Sequence, residues 1–506
     1  MRLFHPDCVG VRNDKTKNMN LNELTIKKAN EGLQNKDFSS VELTKACLDQ
    51  IKKTDDKIKA FITVTEDVAL KQAEAVDKDG DFSNPLAGVP HALKDCFCTK
   101  DIKSTGGSKI LENYVPPYSA ISAQRLEDKK AVLLGKVNLD EFTMGSSCEN
   151  SAFFPTKNPW DLERVPGGSS GGSAATVAAN QSIYALGTDT GGSIREPASF
   201  CNLVGLKVTY GRVSRYGVMS YASSFDTIGP LTQTVEDAAL VLNAIAGSDP
   251  KDSTTPKVEI DDYTKNLGQD IKGLKIGVPQ EFFIKGMDAG VEKTIKDAIK
   301  KFEDLGAEIV EVSLPSTKYA IAAYYILVKS EASANLARYD GVRYGASAKA
   351  ENLLENYLQT RAQNFGPEVK RSIMMGTYTL SAGYYDAYYL KAAKVRTLIK
   401  QEYEKVLNEV DCLVTPVAPT PAFKIGEKVD DPLQMYLFDV FTVPINTAGV
   451  PAISIPCGFV KPKDGDKEMP VGMQIIGKQF DESKILQVAY NYEQATEWHK
   501  KKPKFD

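Results

Sequence analysis

Two serine-bearing glycine loops and one lysine carry the chemistry that the residue types of this chain allow. Residues 167–173 read Gly-Gly-Ser-Ser-Gly-Gly-Ser and run into Ala174-Ala175-Thr176-Val177-Ala178-Ala179. Such a loop opening onto a helix gathers backbone N–H groups and hydroxyls at the helix N-terminus. Fifteen residues further on comes Thr188-Asp189-Thr190-Gly191-Gly192-Ser193-Ile194-Arg195, where bare backbone can approach a ligand closely. Upstream, Gly88-Val89-Pro90-His91-Ala92-Leu93-Lys94-Asp95 ends an apolar stretch in a lysine. A neutral lysine can activate a serine hydroxyl. Burial favours that neutral form, and moving a lysine from ~10.4 to ~7 takes about 4–5 kcal/mol. On spacing alone, Lys94–Asp95 is more often a surface ion pair.

Other chemistries fit less well. A phosphate cradle needs GxxxxGK[ST], which is absent from the chain. Gly167-Gly168-Ser169-Ser170-Gly171 matches a GxSxG elbow that His499 could complete. Yet Asn158-Pro159-Trp160-Asp161 offers no preceding strand, and His499 reads as part of a solvated tail, Trp498-His499-Lys500-Lys501-Lys502. A flexible linker would not lead into a compact apolar helix. The three histidines, His5, His91 and His499, leave no histidine-built metal site and little room for a histidine base. His91 reads as a packed or hydrogen-bonded side chain, and Asp189 and Arg195 as structural groups holding the second loop.

Composition narrows the class. With 42% hydrophobic and 25% charged residues the chain sits at the averages for soluble globular proteins. A net charge of −4 argues against holding a nucleic acid by its own basic face. Eight irregularly spaced cysteines, with Cys96 and Cys98 two apart, suit neither a redox pair nor a zinc knuckle and read as reduced thiols in a core. Met1 to Lys17 lacks the apolar centre of a signal peptide and carries Asp7 and Asp14, which a transit peptide avoids. No run approaches the ~18–20 apolar residues of a membrane span. The expectation is a cytoplasmic protein without a metal.

The elements that must position these groups alternate. Met19 begins a helical opening, and Ser39-Ser40-Val41-Glu42 has capping-box spacing ahead of Leu43, Cys47 and Ile51. A charged helix from Ala123 leads to a buried strand at Ala131-Val132-Leu133-Leu134. Leu274 to Val278 reads as a strand, Ile295, Ile299, Phe302 and Leu305 as a helix stripe, and Ala307 to Val312 as the next strand. Repeated strand–helix–strand order argues an α/β architecture with a largely parallel sheet. Ser248 to Lys272 reads as an exposed connection, and late strands fall at Ala452 to Ile455 and Val471 to Ile475. The domain expectation is a loose extension over 1–18, an N-terminal helical, partner-contacting region over 19–75, and one large domain over 76–506 with a helical insertion at about 316–400.

Lys94, the 167–173 loop and the Gly191-Gly192-Ser193 segment together resemble the amidase signature family. The resemblance runs from about Met19 to near the C-terminus. It implies an α/β amidase-signature fold, with a single large mixed central β-sheet flanked by helices. It further implies Ser193 as nucleophile, Ser169 as a bridging serine after a cis Gly168–Ser169 peptide, and Lys94 as the base. Backbone N–H groups of Thr190, Gly191, Gly192 and Ser193 would form the oxyanion hole.

Asn138 to Phe142, Met144 to Asn150, Tyr210 to Gly217, Arg338 to Gly341 and Gly383 to Tyr389 resemble one branch of that family. That branch comprises the A subunits of glutamyl-tRNA(Gln) amidotransferases, which often also serve aspartyl-tRNA(Asn). The branch resemblance implies a glutaminase that releases ammonia for amidating misacylated Glu-tRNA(Gln). Glutamine would be bound by Tyr324 or Tyr325, by Arg371 and by Asp439. Where the branch usually has two arginines before an isoleucine, this chain reads Lys370-Arg371-Ser372-Ile373; if the binding arginine is the second, Ser372 has replaced it and Arg371 would have to reach the substrate α-carboxylate. No cofactor is implied for this chain. Its partners would be the B and C subunits of the amidotransferase, in a heterotrimer. ATP and Mg2+ would be used by the B subunit, which also holds most of the aminoacyl-tRNA, and the C subunit is small. The alternative is a stand-alone Ser-Ser-Lys amidase acting on a small or aryl amide.

Overall fold

The computed structural model describes residues 19–429 and 431–504; the expectation for 1–18 falls outside them. Local signals set the first helices. Helix Ile26–Gln34 starts seven residues later than Met19 suggested, after a short 3-10 turn at Leu21–Glu23, because Thr25 caps it by accepting from the Lys28 N–H. Helix Ser40–Ile58 has the expected capping box, with Ser39 and Glu42 exchanging side-chain and backbone hydrogen bonds. Its Leu43, Cys47 and Ile51 are buried.

Eleven strands form one sheet: β1 (Phe61–Val64), β2 (Pro90–Lys94), β3 (Val132–Val137), β4 (Tyr184–Asp189), β5 (Val204–Lys207), β6 (Thr227–Thr232), β7 (Lys275–Pro279), β8 (Glu308–Val312), β9 (Cys412–Pro416), β10 (Ala452–Val460) and β11 (Met469–Ile476). Their spatial order is β1-β3-β2-β4-β6-β5-β10-β11-β9-β7-β8. The sheet is mixed, as the family resemblance implies, rather than largely parallel. Parallel pairing is confined to β3-β2-β4 at one end and β9-β7-β8 at the other. Between them β6, β5, β10 and β11 run antiparallel to their neighbours. The physical reason is connection length: β10 and β11 are joined by a short turn, which permits only a hairpin, whereas β7 and β8 are joined through helix Ala289–Asp304.

The connection after Ser248 is irregular but packed, with Tyr263, Leu267 and Ile271 buried. Residues 320–409 carry helices Ala320–Asn335, Leu353–Asn364, Pro367–Leu380 and Lys391–Glu409. The seven described cysteines are buried and unpaired. Among the described residues no helix is long and apolar enough to cross a membrane.

Candidate active site

The sheet delivers the lysine. β2 and β4 are parallel neighbours, in register through His91–Tyr184, Ala92–Ala185 and Leu93–Leu186, so their C-terminal ends lie side by side. Lys94 is the last residue of β2, and Thr188 and Asp189 end β4. Lys94 and Asp95 are both fully buried, which overturns the surface-pair alternative. Asp95 pairs instead with the buried Lys136 at 3.1 Å. Lys94 Nζ lies 2.7 Å from Ser169 Oγ, 2.9 Å from Ser170 Oγ and 2.8 Å from Thr188 Oγ1. Burial pulls its pKa below the ordinary lysine value, against the partial opposition of Cys96, Asp140, Cys148 and Asp189.

The first loop fits a crowded place. The Gly168–Ser169 peptide is cis. A Cβ on Gly168 would stand 2.3 Å from Asp140 Oδ2, so only glycine is tolerated there. Ser170 closes the loop: its N–H donates to the Ser193 carbonyl at 3.2 Å, and helix Gly171–Ala178 begins directly after it. No strand leads directly into the loop, as the sequence suggested when it argued against a nucleophile elbow: only the 3-10 turn Glu141–Thr143 lies between β3 and helix Gly171–Ala178.

Asp189 organises the second loop. Its carboxylate accepts from the N–H groups of Gly192 and Ile194 at 2.9 and 3.2 Å, from Arg195 Nε at 3.1 Å and from Asn446 Nδ2 at 2.8 Å. Burial alone would raise this acid, but the Arg195 charge and hydrogen bonds overcome it and hold the carboxyl at about 2. Because the Gly192 N–H is taken by Asp189, the expected set of oxyanion donors narrows. The Thr190 side chain is engaged elsewhere, its Oγ1 donating to Asp226 at 2.7 Å. Gly191 and Ser193 both line the pocket above. A Cβ on Gly191 would meet the Tyr324 hydroxyl at 2.4 Å.

That pocket brings together Ser193, Gly191, Tyr324, Tyr325, Arg371 and Asp439, residues spread over about half the chain. Asp439 accepts from Tyr325 Oη at 2.6 Å and from Ser146 Oγ at 2.9 Å. Burial pushes its carboxyl up to about 7, although those two hydrogen bonds pull the other way. Glu196 is raised well above the usual carboxylate range by burial and then by the Asp439 charge. Arg371 pairs with Glu368, which also lines the pocket.

The chain matches the amidase family profile over residues 42–486. It belongs to the amidase family. The A subunit of a glutamyl-tRNA(Gln) amidotransferase from Carboxydothermus hydrogenoformans is 58% identical over 490 residues, covering 96% of this chain and all of that protein. The A subunit from Thermodesulfovibrio yellowstonii is 60% identical over 457 residues, covering 90% of this chain and 93% of that one. Among solved structures, the A subunit from Thermotoga maritima superposes with a TM-score of 0.77 at 42% identity, covering 93% of this chain and 94% of that one. A peptide amidase from Stenotrophomonas maltophilia gives 0.81 at 31% identity, covering 96% and 99%.

Several groups at the site of this amidase-family chain escaped the sequence reading. Ser170 and Thr188, both on Lys94, sit within quoted motifs, yet nothing in their spacing says which hydroxyl reaches the amine. Ser146 lies in the Met144 to Asn150 segment, which carried a resemblance but no role. Glu368, Tyr436 and Lys329 had no local signal at all; long-range packing assembles them. His91 is buried and stacked on Tyr184 at 5.2 Å, with burial lowering its pKa to about 3. His499 is half-buried on a short 3-10 turn rather than in a solvated tail.

Proposed function

We propose that this chain is the glutamine-hydrolysing subunit of a tRNA-dependent amidotransferase, releasing ammonia that converts Glu-tRNA(Gln) to Gln-tRNA(Gln). The observation that carries it is Lys94 Nζ, fully buried and 2.7 Å from Ser169 Oγ, beside a pocket that presents Asp439 and Arg371 together. A free amino acid bearing an amide has an ammonium for the first and a carboxylate for the second. A small or aryl amide, the substrate of the alternative reading, has no use for both.

The chemistry follows from proton inventory. A neutral amine has two N–H groups and one lone pair. The Ser170 proton is committed to the Thr188 carbonyl at 3.1 Å, so Ser170 can only accept from Lys94. With the other N–H directed to Thr188 Oγ1, the lone pair is left for Ser169. Lys94 takes the Ser169 proton, and Ser169 takes that of Ser193 as Ser193 attacks the glutamine side-chain amide. The Gly191 and Ser193 N–H groups meet the oxyanion, each such donor contributing about 3 kcal/mol. The relayed proton goes to the departing nitrogen, which leaves as ammonia. Water then hydrolyses the glutamyl ester on Ser193, releasing glutamate.

ATP and magnesium chemistry, and the grip on the aminoacyl-tRNA, belong to the partner B subunit in this reading, with the small C subunit completing the complex in the cytoplasm. Relatives at 58% and 60% identity, both named as amidotransferase A subunits, support it. The test is ammonia release from glutamine, asparagine and simple amides by the chain copurified with whatever binds it, with Ser193→Ala as control. Glutamine-selective release, raised by ATP and glutamyl-tRNA and abolished in Ser193→Ala, is expected. Release from simple amides by the unpartnered chain would establish the stand-alone amidase instead.

A further inference from the structure

The pocket carries an acidic group that works against a substrate carboxylate. Glu368, on helix Pro367–Leu380, lines the same wall as Arg371 and pairs with it. An Arg371–Glu368 pair alone is neutral and offers little net attraction to an anion. The other described cation on the wall, Lys428, is paired with Glu427 at 3.2 Å.

A further cation stands behind the wall. Lys329, on helix Ala320–Asn335, is 1% exposed, and its Nζ donates to Glu368 Oε1 at 3.0 Å and to Tyr436 Oη at 2.5 Å. The ammonium lies over the Tyr436 and Tyr325 rings at 4.2 and 5.4 Å, both of which face the pocket. Tyr436 Oη in turn donates to Glu368 Oε1 at 2.8 Å. Two cations around one carboxylate give the cluster a net charge of +1.

We propose that Lys329 is a positioning residue of the carboxylate subsite: it neutralises Glu368 from behind the pocket wall and so leaves the Arg371 charge available to the substrate α-carboxylate. The proposal rests on the glutaminase reading and assigns its carboxylate recognition to a group outside the pocket lining. Burial pulls the Lys329 pKa below the ordinary value, while the Glu368 charge acts to keep the ammonium protonated.

The same geometry accounts for Ser372. Its Oγ donates to Glu368 Oε1 at 3.3 Å, the oxygen that Lys329 reaches from the facing helix. The two helices touch closely: a Cβ on Gly376 would lie 1.9 Å from the Lys329 carbonyl oxygen. A long cationic side chain at 372 and one at 329 therefore compete for one place. A serine at 372 makes room for the lysine, and exchanging the two should preserve the charge.

The experiment measures steady-state ammonia release by the full chain, copurified with whatever binds it, from glutamine and from its decarboxylated analogue, which keeps the amine and the amide. Lys329→Met should raise KM for glutamine about tenfold with kcat within about twofold, and leave kcat/KM for the analogue unchanged. Lys329→Ser combined with Ser372→Arg should return KM for glutamine to within about threefold of the parent. Equal losses on both substrates, or an unmoved KM in Lys329→Met, would overturn the role of Lys329 while the glutaminase reading stands. If Lys329→Met does not fold, the exchanged double variant carries the test, and a tenfold higher KM in it overturns the proposal. Absence of glutamine turnover in the parent chain overturns both readings.

Discussion

At the residue scale, the decisive feature is a lysine facing three hydroxyls, with no carboxylate ion pair among the described residues. Lys94→Ala or Ser169→Ala should lower kcat for ammonia release by about a thousandfold with the fold retained, as followed by thermal melting. Ser170→Ala should cost only about tenfold, because Ser170 orients the amine rather than carrying the proton. Equal losses at 169 and 170 would contradict the proton inventory. Asp439 supplies a pH dependence. Burial pushes its carboxyl up to about 7, so it is protonated below and anionic above that value, and on the glutaminase reading only the anion would attract a glutamine ammonium. The groups around it are Ser146 and Tyr325, which favour the anion, Asp189 and Glu196, which oppose it, and Arg195. Expected in a pH–rate profile is a kcat/KM for glutamine that falls as pH drops through about 7, with kcat/KM far lower and the Asp439 limb gone in Asp439→Asn.

At the scale of elements, the loop after β4 depends on contacts that no local pattern announces. Gly191 is legible as a glycine but not as a neighbour of Tyr324, more than a hundred positions away. Gly191→Ala should reduce kcat/KM by about tenfold to a hundredfold, since the added Cβ would meet both the hydroxyl and the ring of Tyr324. Asp189 and Arg195 are both fully buried. Asp189→Ala leaves the guanidinium without its carboxylate and should cost about 3–5 kcal/mol in denaturant unfolding. Helix ends and single elements were legible where caps and periodicity are local, as at Ser39 and Glu42. Strand pairing was legible only where a helix joins consecutive strands, so the antiparallel middle of the sheet was missed.

For the whole molecule, the N-terminal helices are continuous with the sheet's core. Ile26, Ala29 and Leu33 share one buried cluster with β2, β4 and β10. Asp237, fully buried on helix Val235–Ile245, accepts from the Ile26 and Lys27 N–H groups at 3.1 and 3.4 Å across 211 and 210 positions. Asp237→Ala should leave those helix-end donors unsatisfied and cost about 1–3 kcal/mol, lowering the melting temperature without changing kcat. Loss of activity at constant stability would show instead that the N-terminal helices act on the site.

What the sequence determined by itself is the family and a set of candidate reactive groups. Lys94, Ser169 and Ser193 stand out because glycine–serine loops and a lysine closing an apolar run are unusual compositions, and such patterns are local in the chain. Only the tertiary structure decided which hydroxyls meet the amine, that the Gly192 N–H is taken by Asp189, and that Lys329 and Arg371 share Glu368. Those outcomes depend on side chains brought within about 3 Å by packing between distant elements. Hydrogen-bond direction and buried charge are set by such contacts, and one-dimensional spacing does not encode them.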